Sequence, residues 1–200
     1  MSLEALNTFA SVGTLIVIAA TAIAALAQLR HSRGSNQIVA LTECREVLES
    51  EEFMNALLFV RRKLPELIKD PAVREKFLDS PMPPELRSIN IVGNFFESMG
   101  SFVKHDIIDA TIACDLWAGI VQNSWDALKP VLAIMRRTAG AGLWENFEYL
   151  AAIASTWQTK FPDGTYPKTT NRMAVDDVWL EADKAAGMYP SATISTAAER

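Results

Sequence analysis

The sequence predicts an all-α protein with one N-terminal transmembrane helix followed by a cytoplasmic helical bundle. Three observations lead to this fold class. The run from Ala5 to Leu29 contains no charged residue. The rest of the chain repeats apolar residues at intervals of three and four, and no segment alternates polar and apolar residues as a β-strand would. A chain of 200 residues has room for one core of ordinary size beside the anchor.

The uncharged run is long enough to cross a bilayer. As a helix it is about 37 Å long, and the hydrocarbon core of a bilayer is about 30 Å thick. A cleaved signal peptide is one alternative, although residues 1–4 are acidic rather than basic. A buried soluble helix is the other, because alanine is only weakly apolar.

The residues after the run predict its direction. Arg30 and Arg33 follow the apolar segment, whereas only Glu4 precedes it. Positive flanks stay in the cytoplasm, so residues 1–33 are predicted to anchor the chain in the inner (plasma) membrane. The N-terminus then lies outside and the remaining domain lies in the cytoplasm.

Polar and small side chains share one face of the predicted transmembrane helix. In chain order they are Asn7, Ala10, Thr14, Val17, Thr21, Ala24 and Gln28. Small residues let two helices approach closely, and side-chain hydrogen bonds between helices contribute roughly 1 kcal/mol each. We therefore expect self-association or pairing with another protein along this seam. In the alternative, the threonines bond to carbonyl groups of their own helix.

Residues 34–80 are predicted to form short juxtamembrane helices. Their predicted limits are a break at Gly34-Ser35, a cap at Ser50, an end near Pro65, a cap at Asp70-Pro71 and an end near Ser80. The prolines within residues 81–84 then remove hydrogen-bond donors and disfavour helix. This segment is the predicted boundary with the next domain.

Residues 81–160 are predicted to form the helical core domain. A wide apolar stripe gives the strongest signal, and it consists of Leu86, Ile89, Val92, Phe96, Met99 and Val103. The further predicted elements are a capping pair Asp106 and Asp109, helices to about Gly119 and from Ile120 to Arg137, a stop at Gly140, and a last helix from Leu143 to Trp157.

Residues 161–200 are predicted to be a tail. A turn is expected at Phe161-Pro162-Asp163-Gly164. A short helix from Val175 to Ala186 is predicted to dock through Val178 and Trp179. The small and polar residues from Pro190 onward are expected to be disordered.

Four charged residues are placed for buried acid–arginine pairs. Glu97 and Glu148 each lie among aromatic residues of an apolar helix, and Arg136 or Arg137 is a candidate partner. A half-buried carboxylate needs a partner, and arginine binds it bidentately. In the alternative, both glutamates face water.

Composition and motifs give little support to an enzyme. The net charge of -5 argues against nucleic-acid binding, which needs clustered cations. Cys44 and Cys114 form no disulfide framework, which is typical of a reducing compartment. Capping explains the aspartates near His105, so we expect no metal site, no cofactor and no catalytic residue.

Short aromatic and acidic motifs carry a family resemblance. They are Asn94-Phe95-Phe96-Glu97, Asp115-Leu116, Trp125-Asp126-Ala127-Leu128-Lys129-Pro130, Arg136-Arg137 and Phe147-Glu148-Tyr149-Leu150. With these motifs the chain resembles an uncharacterised bacterial family, a domain of unknown function, best over residues 86–158. The resemblance implies an all-helical fold after one transmembrane segment. It implies no activity and no catalytic residue.

The expected function is that of a non-enzymatic interaction or scaffold module. Its partners would be membrane lipid and either a second copy or another protein. The alternative is a membrane-tethered effector or enzyme with a helical-bundle pocket, with or without a metal.

Overall fold

A computed structural model describes residues 3–79 and 81–188; for residues 3–6, 8–11, 30, 31 and 33 it describes the backbone only. The helices are α1 Leu3–Glu49, α2 Glu51–Leu58, a π-helical turn Phe59–Lys63, α3 Leu64–Leu67, α4 Pro71–Lys76, a 3₁₀ turn Pro84–Leu86, α5 Arg87–Lys104, α6 Ala110–Ala139, α7 Glu145–Lys160 and α8 Leu180–Ala185. No β-strand occurs in these two ranges, and the predicted all-α fold is confirmed.

The first helix is continuous over 47 residues. The predicted break at Gly34-Ser35 is therefore wrong. A glycine inside a helix costs only about 1 kcal/mol relative to alanine, and the following turns pack Ala40, Cys44 and Leu48 into the core. The first half of α1 is long and apolar enough to span a membrane, and every side chain described from residue 12 to residue 29 is exposed.

The chain from α2 to α3 passes through Pro65 without ending the helical path. Ser50 caps α2 as predicted, because its hydroxyl accepts from the backbone N–H of Phe53 at 3.2 Å. The helical path ends at Leu67, two residues after the predicted end near Pro65, and the N–H of Leu64 donates to the carbonyl of Phe59 in a π-helical turn. Pro65 has no N–H to donate, and it follows directly after this wider turn.

The next helix is shorter than the sequence suggested. Asp70 caps α4 as predicted and accepts from the backbone N–H of Ala72 at 2.9 Å. The helix ends at Lys76, and Phe77 after it is buried. Ser80, the predicted end, lies outside the described residues.

One hydrophobic core joins the segments on both sides of the proline-rich stretch. Its members run from Ala40 to Phe77 before the prolines and from Leu86 to Ala154 after them. Residues 34–80 and 81–160 therefore share a core, and the chain divides into two compact units after Thr165 instead. The predicted stripe on α5 is buried at all six positions.

Aromatic rings form the centre of this core. The rings of Phe96 and Phe147 stack at 5.0 Å between centroids. Phe53 meets Phe96 edge-on at 6.1 Å, and Trp125 meets Phe147 edge-on at 5.2 Å. Such pairs contribute about 0.5–1.5 kcal/mol beyond the area they bury.

The sixth helix is one helix of 30 residues rather than the two that were predicted around Gly119. Ala118 and Val121 are buried on either side of this glycine, so packing holds the helix together there. Asp109 caps the helix by accepting from the N–H groups of Thr111 and Ile112 at 2.8 and 3.1 Å. Asp106 takes no part in the cap, because its φ of 55° places it in the turn before the helix.

The end of α6 and the turn after α7 agree with the sequence. Gly140 ends α6 with a φ of 82°, a left-handed conformation that favours glycine. The N–H of Gly164 donates to the carbonyl of Phe161 at 3.1 Å in the predicted turn.

The second unit contains the short helix α8. It begins at Leu180 rather than Val175. Val178 and Trp179 are largely exposed within this unit, and the predicted docking through these side chains stays a prediction. The predicted disorder from Pro190 to Arg200 concerns residues outside the described ranges.

Gly100→Ala is expected to destabilise the domain. A Cβ at this position would lie 2.1 Å from the backbone oxygen of Asn146, so α5 and α7 would have to separate, at a cost of about 1–3 kcal/mol. The matched control is Gly119→Ala, whose Cβ would meet only Gln158, at 4.0 Å. We expect this change to stabilise by about 0.5–1 kcal/mol. Urea unfolding of the full chain in detergent, followed by near-ultraviolet circular dichroism, measures both; equal effects would contradict the close crossing.

Candidate functional site

An apolar groove of about 510 Å³ runs between α1 and α6. Its two walls are formed by Ile38, Leu41 and Thr42 of α1 and by Leu116, Trp117 and Ile120 of α6. Ile38 and Leu116 are 66% and 58% exposed. The groove therefore offers apolar surface at the level where α1 enters the core.

Three polar side chains along this groove form bonds within α1. The Thr42 hydroxyl donates to the carbonyl of Ile38 at 2.9 Å. Arg45 Nε donates to Glu49 Oε1 at 2.8 Å, and both side chains are largely exposed. Most of the lining side chains are apolar, and the site is suited to binding an apolar helix or side chain. No sequence motif predicted it, although Leu116 and Ile120 lie at helical spacing.

The start of α7 depends on Glu97. Trp144 occupies the N-cap position with a φ of 52° and provides no side-chain cap. Glu97 of α5 takes this role, since its carboxylate accepts from the backbone N–H of Phe147 at 2.9 Å and from Asn146 Nδ2 at 2.7 Å. A negative charge at a helix N-terminus is also stabilised by the helix dipole. The predicted arginine partner of Glu97 is thus replaced by a helix terminus.

The side chain of Trp144 is held against α5. Its indole N–H donates to Asn94 Oδ1 at 2.9 Å, and its ring covers Gly93, where a Cβ would lie 2.0 Å from a ring atom. Phe95 and Phe96 of the same motif pack into the aromatic core. Each residue of the Asn94–Glu97 motif therefore has a structural role at the junction of α5 and α7.

Arg136 joins α6 to the start of α7. Its Nε and Nη2 donate to the carbonyl of Leu143 at 3.0 and 2.8 Å, and its Nη1 lies 2.7 Å from Glu148 Oε2. The structure thus brings Arg136 and Glu148 together, whereas Arg137 is exposed. Half of the Glu148 side chain is exposed, so this pair contributes little to stability.

The predicted seam lies on the exposed half of α1. The Thr21 hydroxyl donates to the carbonyl of Val17 at 2.8 Å, which is the local bond that the alternative interpretation expects. The side chains of Ala10, Arg30 and Arg33 are outside those described. Pairing along Asn7, Thr14, Thr21 and Gln28, and the role of the basic flank, stay predictions.

The two cysteines are buried thiols. Burial, and secondarily the nearby Glu43, raises the pKa of Cys44 to about 11, and burial also raises the pKa of Cys114. Both thiols are therefore protonated at neutral pH and are poor nucleophiles. Among residues 3–79 and 81–188, no three His, Cys, Asp or Glu side chains come together in a group suited to a metal ion.

The family model of a domain of unknown function, DUF4760, matches residues 15–157. The chain belongs to this family. The match confirms the resemblance and covers α1 from residue 15, α2 to α6, and α7 up to residue 157, so DUF4760 includes most of the apolar run and the core. Neither a curated protein nor a solved structure matches the chain.

Glu97→Met is expected to destabilise the start of α7 in this DUF4760 domain. It leaves the N–H of Phe147 and the amide of Asn146 without their acceptor in a partly buried place, which costs about 1–3 kcal/mol. Glu46→Met, on the exposed side of α1, is the control and is expected to change the free energy of unfolding little. The same urea titration reports both values, and an unchanged Glu97→Met protein would contradict the capping role.

Proposed function

We propose that the chain is a single-pass inner-membrane protein whose helical core domain is a cytoplasmic, non-enzymatic interaction module. This proposal rests on one observation: the two halves of the continuous helix α1 have different surroundings. The apolar half is exposed along its whole described length, and the other half contributes Ala40, Cys44 and Leu48 to the core. A helix that satisfies its own backbone hydrogen bonds can enter lipid without unpaired groups.

The basic residues after the apolar half support the orientation. Arg30 and Arg33 follow the span directly, and such residues are enriched on the cytoplasmic side of membranes. With the N-terminus outside, the helical domain lies in the cytoplasm. The reducing conditions there agree with two free cysteines.

A second copy of the chain is the partner that we propose for α1. The seven-residue spacing of Asn7, Thr14, Thr21 and Gln28 continues to Ser35, Thr42 and Glu49. The last two line the apolar groove. Two copies in one membrane have parallel α1 helices, so corresponding positions meet each other.

Charge in the apolar half of α1 is expected to release the protein from membranes. We expect the wild-type chain to resist alkaline carbonate and the double variant Ile16→Lys with Ile23→Lys to be extracted, because each lysine near the span centre costs about 2.5–3.5 kcal/mol. The control carries Ile38→Lys with Val39→Lys, two exposed apolar positions farther along the same helix. Its retention is expected to equal that of the wild type.

Release of the wild-type chain by carbonate would overturn the anchor. The same membranes test the orientation: an alkaline phosphatase fused after Arg200 is expected to be inactive. An active phosphatase would place the domain outside the cytoplasm.

Disulfide cross-linking is expected to follow the seam. Single cysteines at positions 14 and 21 should cross-link two copies, whereas cysteines at Ile16 and Ile23 lie on the opposite side of the helix and should not. Cys44 and Cys114 are buried, so the chain without an added cysteine gives the background level of cross-linking. Equal cross-linking at all four positions would contradict self-association along this face. The proposed membrane anchor does not depend on this result.

A further inference from the structure

A surface cavity of about 640 Å³ lies between the start of α5 and the segment from α2 to the π-helical turn. Its polar lining includes Asn55, Arg62, Lys63 and Ser88, and its apolar lining includes Phe59 and Ile91. It shares no lining residue with the apolar groove between α1 and α6. The cavity is therefore a second candidate site on the helical domain.

The backbone on both sides of this cavity is anchored in the core. Val60 of the π-helical turn and Ile89 of α5 are fully buried. Phe59 and Ile91 are half-buried and pack against the same core. The walls are thus formed without a ligand, and binding requires little ordering of the backbone.

The π-helical turn brings two consecutive cations to the cavity. The N–H of Leu64 donates to the carbonyl of Phe59, a bond across five residues instead of the four of an α-helix. A turn that contains more residues places neighbours at a smaller angle around the helix axis. Arg62 and Lys63 accordingly line the same cavity, and the third cation of this turn, Arg61, lies outside the lining.

The protein does not neutralise these two cations. Among the residues that the structure describes, no carboxylate forms a salt bridge with Arg62 or Lys63. Glu52 also lines the cavity, but its carboxylate is bonded to Arg87 at 3.1 Å. The side chains of Asn55 and Ser88 add two neutral donors. The cavity therefore offers two positive charges and two further hydrogen-bond donors beside an apolar wall.

These groups match a phosphate monoester with an organic body. At neutral pH such a phosphate carries about −1.5 to −2 charges and three acceptor oxygens, so two cations balance it, whereas a carboxylate carries a single charge. Arginine binds phosphate through two parallel hydrogen bonds, and lysine adds a point charge. The apolar wall can cover the organic part of the ligand.

We propose that this cavity binds an organic phosphate, with the phosphate on Arg62 and Lys63 and the organic body against Phe59 and Ile91. A soluble compound and a lipid headgroup both supply this chemistry. The site lies wholly within the helical domain, so it depends neither on the transmembrane anchor nor on self-association.

Phosphorus-31 NMR of phenyl phosphate tests the site. The full chain is kept in a maltoside detergent, which contains no phosphorus, and the compound is titrated. We expect a saturable change of its phosphorus signal, and weaker binding of inorganic phosphate, which has no apolar body. No saturable change with the wild type would overturn the site, and equal binding of inorganic phosphate would overturn the role of the apolar wall.

Two double variants with the same charge test the role of the cavity. Arg62→Gln with Lys63→Gln is expected to weaken binding by at least about tenfold, because the loss of one charge-assisted hydrogen bond is enough for this factor. The control is Arg61→Gln with Arg137→Gln, two exposed cations outside the lining. It is expected to bind within about twofold of the wild type, since salt screens exposed charges. Equal weakening by both variants would overturn the site.

Ser88→Trp keeps every cation but fills the cavity from the side of α5. We expect it to abolish binding, and wild-type affinity in this variant would also overturn the site. Urea unfolding checks that each variant is folded. The charge variants replace exposed side chains only, so they decide the question even where Ser88→Trp does not fold.

Phosphatidic acid added to the same micelles distinguishes the two sources of phosphate. Release of phenyl phosphate by phosphatidic acid, but not by phosphatidylcholine, would assign the site to a lipid headgroup. Phenyl phosphate that stays bound would assign it to a soluble compound. Both results agree with the proposed site, and equal release by the two lipids would contradict recognition of a phosphate monoester.

Discussion

The helical domain depends on the close crossing of α5 and α7. Gly100 leaves room for the backbone of Asn146, and Gly93 leaves room for the ring of Trp144. The first N–H groups of a helix have no partner within it, and at this crossing they point toward α5. The carboxylate of Glu97 satisfies one of them. The Asn94–Glu97 motif therefore has a structural role in the folding of α7.

The first helix extends beyond this domain as an exposed apolar segment. Its apolar half has no packing partner within the described chain, whereas Ala40, Cys44 and Leu48 of the other half are enclosed by the core. Because both halves share one ladder of hydrogen bonds, a change in the angle between them requires that ladder to break. Gly34 lies between the two halves, and glycine makes the helix about 1 kcal/mol less stable there than alanine would. The orientation of the apolar half is consequently coupled to the packing of the domain.

Local signals in the sequence predicted most of the helix starts, whereas tertiary contacts decided the helix breaks. Ser50 and Asp109 cap helices because acceptor and donor lie within three residues of each other, which a sequence shows directly. Gly34 and Gly119 interrupt no helix, because buried residues beyond them hold the path. The partner of Glu97 was not predicted from the sequence. A signal was present, because α7 has no Ser, Thr, Asp or Asn directly before it, and a helix start without a local cap requires an acceptor from elsewhere in the fold.

The seam and the groove on α1 impose a condition on any pair of copies. In a straight α-helix a face with seven-residue spacing turns by about 20° per repeat, so the six repeats from Asn7 to Glu49 turn it by about 120°. Two straight helices would then meet at the seam or at the groove, but not at both. A left-handed supercoil removes this drift. Association over the whole of α1 therefore requires the two helices to wind around each other, and the core that surrounds Cys44 and Leu48 must rotate with them.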